Sequence, residues 1–184
     1  MASALSHAAT ALAIGAYFDR KRVPRKVLLA GMVLAIVPDL DAIGYWLGIP
    51  GGSLLGHRGL THSLAFALIG GLGAAWVWSR DRARSGSRAS LGVYFTLVLV
   101  SHGCLDALTN GGAGVAFFSP FSTHRYFFPF RPIQVSPIGI GVFNARGVRI
   151  LLSEIRWVLL PAAALAAIGM IFRRVRRHPG PETA

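Results

Sequence analysis

Histidines and carboxylates recur along the chain in short motifs: His7 in SHAATALAIG, Asp39 and Asp41 in PDLD, and His57 and His62 in HRGLTHS. His102 and Asp106 follow in SHGCLDALT, and Glu154 in SEIRW. Imidazole and carboxylate together suit a divalent metal, zinc first, with manganese or iron as alternatives. A lone cysteine, Cys104, excludes both an internal disulfide and a thiolate zinc site. Four histidines and four carboxylates exceed what one tetrahedral ion takes, so two or three ions are expected. Clusters of that kind activate water and clamp the oxygens of a phosphate ester. His102 and Asp106, four residues apart, share one helix face and can meet one ion. Asp39 or Asp41 would bridge ions or take a proton from the attacking water. Arg58 stands beside His57 and offers phosphate a matching guanidinium, with anchoring at the membrane surface as its other reading. Thr61 and Ser63 would donate hydrogen bonds behind the ligands or cap a helix, and Thr109 and Asn110 would orient substrate.

The elements that must carry these residues are apolar. Of 184 residues, 53% are hydrophobic and only 14% charged, and the mean hydropathy is +0.54. A soluble domain carries about 25% charged residues, so the composition is that of an integral membrane protein. Five apolar segments are predicted as helices, at about 3–18, 26–47, 60–79, 90–108 and 152–172, because lipid forces the backbone to satisfy its own hydrogen bonds. The chain therefore reads as one integral membrane domain, 1–184, an all-α polytopic bundle with a long extracytoplasmic loop at about 110–147. Loops of that length are often functional. The third helix opens within GHRGLTHSLAFALIGGLGAAWVW, an apolar run that begins with imidazoles. No basic residue precedes the first apolar stretch, so no cleavable signal peptide is expected.

The net charge of +12 gathers in DRKRVPRK, RDRARSGSR and RRVRR, which follow the first, third and fifth helices. Placing all three patches inside satisfies the positive-inside rule with one topology, N-terminus outside and C-terminus cytoplasmic. Every Lys and Arg then lies inside except Arg58, Arg125, Arg131, Arg146, Arg149 and Arg156. His7, Asp39, Asp41, His57, His62, His102, Asp106 and Glu154 fall in one outer layer, to which every helix contributes. Ionisable groups at membrane depth are costly and mark function. His57 and His62 open the third helix, on this reading, because its mouth forms one wall of a metal site. His124 is expected to be a loop residue outside it.

SHAATALAIG, PDLD, HRGLTHS, HGCLDALTNGG, FFSPF and SEIRW, in this order, resemble the bacterial inner-membrane metal-dependent hydrolases, a family that includes an SOS-regulated member. The resemblance spans nearly the whole chain. Through it the chain is distantly similar to zinc-dependent phospholipase C and related single-strand nucleases, helical proteins with a zinc cluster. It implies phosphoester hydrolysis, with His7, Asp39, Asp41, His57, His62, His102 and Asp106 as ligands and Glu154 as a further one.

The expected function is hydrolysis of a phosphate ester, a lipid head group foremost, by metal-activated water at the outer face of the bacterial inner membrane. The Phe, Tyr and Arg of STHRYFFPFRP suit lipid head groups at the interface. A metal-ion transporter and a non-catalytic metal-binding membrane protein are the alternatives. Nucleic acid is not expected as a partner, because the basic patches lie on the side away from the site.

Overall fold

The computed structural model describes residues 1–80, 87–136 and 145–177. Asp81, Glu182 and most of the second basic patch lie outside these residues, as does part of the long loop. Every named element is helical, and among the described residues pairing between extended segments is limited to two isolated bridges, Thr109 with Ile133 and Val115 with Tyr126. The chain forms α1 (Ala4–Gly15), α2 (Arg25–Leu34), a 3-10 segment Val37–Tyr45, a 3-10 turn Leu60–His62, α3 (Leu64–Ser79) and α4 (Arg88–Ala107). It ends in α5 (Ala145–Glu154), a π-helical stretch Ile155–Leu159 and α6 (Leu160–Arg177). The last three follow one another without a break, so the described residues form five helical segments, as expected.

Among the described residues, three segments are long and apolar enough to cross a bilayer: Arg25–Tyr45, Arg88–Ala107 and Arg146–Arg176. At about 1.5 Å per residue, α1 reaches only about 18 Å and α3 about 24 Å, short of a hydrocarbon core about 30 Å thick. Caps explain several boundaries. Ser3, Ser63 and Ser87 accept from the backbone N–H three residues on, starting α1, α3 and α4. The third helix thus begins at Leu64, four residues later than expected, and His62 stands in the turn before it.

The second helix departs more instructively. Its α-helical part stops at Leu34 and resumes as a tighter 3-10 segment from Val37. Pro38 has no N–H to give, and the Asp39 N–H turns to the Ile36 carbonyl at 3.1 Å. The Ala35 carbonyl therefore has neither of its usual helical donors.

α4 is the axis of the bundle. Its buried residues Leu91, Tyr94, Phe95, Val98, His102 and Asp106 recur at helical spacing, so one stripe is apolar at its start and chemical at its end. The apolar part packs with Ala11, Val23, Val27, Leu28, Ala35 and Ala75 into the main core. α3 lies close along α4, and a Cβ on Gly71 would stand 2.5 Å from the Thr96 backbone nitrogen. Backbone cannot step aside as a side-chain tip can. Gly71→Ala is therefore expected to lower stability by about 1–3 kcal/mol, read from denaturant unfolding in detergent, while leaving the cluster's residues untouched.

Candidate metal centre

Five side chains converge at the end of the bundle opposite the main core. His7 comes from α1, Asp39 from the 3-10 segment after α2, His62 from the turn before α3, and His102 and Asp106 from α4. All five are buried. The His102 and His62 Nε2 atoms lie 2.9 Å apart. Asp39 Oδ1 is 3.5 Å from His102 Nε2 and 3.7 Å from His62 Nε2, and Asp106 Oδ2 is 3.5 Å from His62 Nε2. His7 Nε2 lies 3.8 Å from Asp39 Oδ2 and 3.7 Å from Asp106 Oδ1. Its ring stacks on His102 with centroids 3.9 Å apart.

The ring orientations follow from what stands behind them. His102 Nδ1 is 2.7 Å from the Ala35 carbonyl, which can only accept. Nδ1 thus carries the proton and Nε2 turns a lone pair into the cluster. That carbonyl is the one Pro38 leaves without a helical donor. His62 Nδ1 lies 3.2 Å from Asp41 Oδ2, which places its Nε2 inward as well. Asp41 also lies 2.5 Å from His57 Nδ1 and accepts from the Thr61 hydroxyl at 2.5 Å and the Arg58 N–H at 3.1 Å.

The sequence-derived residues therefore separate into groups. His7, Asp39, His62, His102 and Asp106 point their free atoms at one another. Ligand atoms of Asp39, His62, His102 and Asp106 lie within 4.8 Å of each other, as do those of a second group, Asp41, His57 and His62. In that second group Asp41 is already taken up by the four donors just described, an arrangement that holds a ligand histidine from behind. Glu154 stands apart: it accepts from the Ser3 N–H at 2.6 Å and from the Ser3 hydroxyl, joining the last helix to the start of α1. His124 is exposed and packs edge-on against Tyr126, away from the cluster.

Arg58 is 1% exposed and sits in the left-handed region with φ of 64°. Its Nε pairs with Asp106 Oδ2 at 3.0 Å, and Nη1 and Nη2 donate to the Gly111 carbonyl and the Thr109 hydroxyl, each at 3.0 Å. Gly112, with φ of 89°, makes room, since a Cβ there would meet Nη1 at 2.7 Å. Thr109 is buried and its hydroxyl donates to the Asp106 carbonyl at 2.7 Å. The exposed Asn110 accepts from the Val135 N–H through Oδ1. These contacts occupy Arg58 and Thr109 within the protein.

Arg125, grouped in the sequence reading with the loop residues suited to lipid head groups, makes contacts within the protein. Its guanidinium donates to the carbonyls of Gly51 at 2.5 Å and His57 at 2.9 Å, so the long loop is tied to the segment before α3. The loop is tied elsewhere by the Ala116 N–H to the Arg58 carbonyl and the Leu64 N–H to the Phe117 carbonyl. Nothing in the spacing of STHRYFFPFRP marks this role. Beside the tied loops, a cavity of about 230 Å³ opens among Tyr45, His57, Arg58, Gly112 and Arg146.

The donor set fits a divalent cation. His7 Nε2 and both Asp39 oxygens are buried without a hydrogen-bond partner among the described residues. Such atoms are costly unless an ion or water satisfies them. With neutral imidazoles, Asp39, Asp41 and Asp106 against Arg58 leave two negative charges to be matched. Without a cation, protons must do this: burial opposes charge on His62, but Asp106, Asp39 and Asp41 outweigh it and push its pKa up to about 10. Asp41→Asn is expected to weaken metal affinity about 10- to 100-fold without abolishing it, because it loosens His62 rather than removing a ligand. Titration of stripped protein with zinc checks this, and unchanged affinity would make Asp41 a bystander.

Fold and site together define a helical membrane bundle with a buried histidine–aspartate cluster at one end. Comparison narrows this further: the chain belongs to the YdjM family of inner membrane proteins, whose family model matches residues 1–178. It is similar to the inner membrane protein YbcI of Escherichia coli (strain K12), 36% identical over 177 residues, covering 96% of this chain and 100% of that protein. No solved structure matches the chain. The family is one of inner membrane proteins, in keeping with the several apolar helices. Both names give a location and no reaction.

Proposed function

We propose that this chain is a metal-dependent hydrolase embedded in the inner membrane, cleaving a phosphate ester of a membrane lipid at the extracytoplasmic face. The observation that carries the reading is the convergence of buried, unpartnered atoms of His7 and Asp39 with the Asp106 carboxylate and the inward Nε2 atoms of His62 and His102. His7, Asp39, His62, His102 and Asp106 would hold zinc or manganese. The bound metal supplies a water acidic enough to act as nucleophile near neutral pH and charge to balance phosphoryl oxygens.

The chain's own residues supply the rest. Arg58 holds Asp106 in place while reaching the cavity wall. Asp41 fixes His62 and His57 together. His57 lines the cavity, and with Nδ1 against Asp41 its Nε2 is the atom placed to exchange a proton with a leaving group. The extracytoplasmic assignment rests on charge: Arg20, Lys21, Arg22, Arg25 and Lys26 follow α1, and Arg173, Arg174 and Arg176 end α6, both at the end opposite the cluster. Ion transport fits less well, because the bundle beyond the cluster closes in Val98, Phe95 and Tyr94.

Purified protein loaded with zinc or manganese should release phosphate or head group from a panel of lipid phosphoesters, and His57→Ala should slow release without loss of metal. Stoichiometric metal with no release from any ester would reduce the protein to a metal binder. Metal flux into liposomes would make it a transporter.

A further inference from the structure

At the end of the bundle opposite the cluster, α1 packs against both α2 and α6. Arg173 Nη1 donates there to the Phe18 carbonyl at 3.1 Å, fixing the side chain across the end of α1. Beside this contact lies a cavity of about 620 Å³, lined by Arg20, Arg25, Arg173 and Arg174 with Ala167, Met170 and Ile171. Ala167, Met170, Ile171 and Arg174 follow the spacing of a single helix face, so α6 offers a short apolar strip that ends in a cation.

We propose that this cavity binds an anionic phospholipid, with its phosphate among the four guanidiniums and its acyl chains along the Ala167–Ile171 face of α6. Four cations and no carboxylate line the space. Guanidinium matches phosphate oxygens in geometry as well as charge. Asp19, the acidic residue in the adjoining turn, lines a neighbouring cavity with Arg22, Arg173 and Arg176. Arg173 Nε is a buried donor without an acceptor among the described residues. A patch serving topology alone needs neither a concave space nor an apolar wall. A free phosphate would find half of this lining apolar, whereas a lipid uses both halves, at the depth where an apolar span gives way to basic residues.

The test uses the full chain in a zwitterionic detergent, with lipid binding read by native mass spectrometry. Phosphatidylglycerol is expected to bind at least about tenfold more tightly than phosphatidylcholine. The double variant Arg25→Gln/Arg174→Gln, whose sites are exposed, should bring the two lipids level. Arg80→Gln, a charge removed outside the cavity, should leave the preference intact. Circular dichroism and gel filtration establish that each variant is folded. Equal binding of both lipids to the wild type overturns the proposal, and so does a preference that survives the double variant or disappears in Arg80→Gln. Glycerol 3-phosphate binding as tightly as phosphatidylglycerol would make this an anion site and overturn its assignment to lipid.

Discussion

Protein carrying His62→Ala or His102→Ala is expected to purify without bound metal and to lose ester hydrolysis by about 10³-fold or more. Each substitution removes one of the two Nε2 atoms that lie 2.9 Å apart at the centre of the cluster. The loss should be unequal in its side effects. His102 is tied to the Ala35 carbonyl alone on its outer edge, so its removal leaves one backbone acceptor exposed to the new space. His62 is tied to Asp41, and its removal also releases the carboxylate that holds His57. Elemental analysis of folded protein reads the first effect and head-group release the second. Either variant retaining wild-type metal would sink the five-residue site.

Asp106→Asn is expected to destabilise the protein by about 3–5 kcal/mol, independently of any chemistry, because it leaves Arg58 buried opposite a neutral partner. The two groups are 3.0 Å apart and at most 1% exposed. Asp106 Oδ1 also accepts from the Ala2 N–H at 2.7 Å, so the substitution touches the start of α1 as well. Pairing Asp106→Asn with Arg58→Met should cost less than the sum of the single changes, because no unpaired charge then remains inside. Denaturant unfolding in mixed micelles measures all three variants. Strict additivity would mean that the guanidinium and the carboxylate are not coupled.

Helix number was legible in the sequence because lipid enforces long apolar runs, and five such runs are hard to mistake. The depth argument also gathered His7, Asp39, His62, His102 and Asp106, since residues that cost free energy in a membrane stand out by type alone. What the sequence could not carry was direction. Asp39 and Asp41 are two residues apart on a 3-10 segment, and only the backbone decides that one faces His102 while the other backs His62. Glu154 shares the layer but is spent on Ser3, because a short helix start needs an acceptor for its free N–H. Arg58 looked available for phosphate, yet its left-handed backbone turns it inward to Asp106. Pro38 was the one visible signal left unused: a proline inside an apolar run announces a carbonyl in search of a donor.

That carbonyl makes two helices answerable to each other. His102 on α4 takes its orientation from a peptide group of Ala35, which follows α2, rather than from a side chain. A side chain can swing to follow a moving partner, but a carbonyl at a helix break travels with its helix. Sliding α2 by a single residue along α4 would displace the acceptor by about 1.5 Å and turn the imidazole out of alignment. The site thus works as a register gauge for the bundle, engaged only when those two helices are in step.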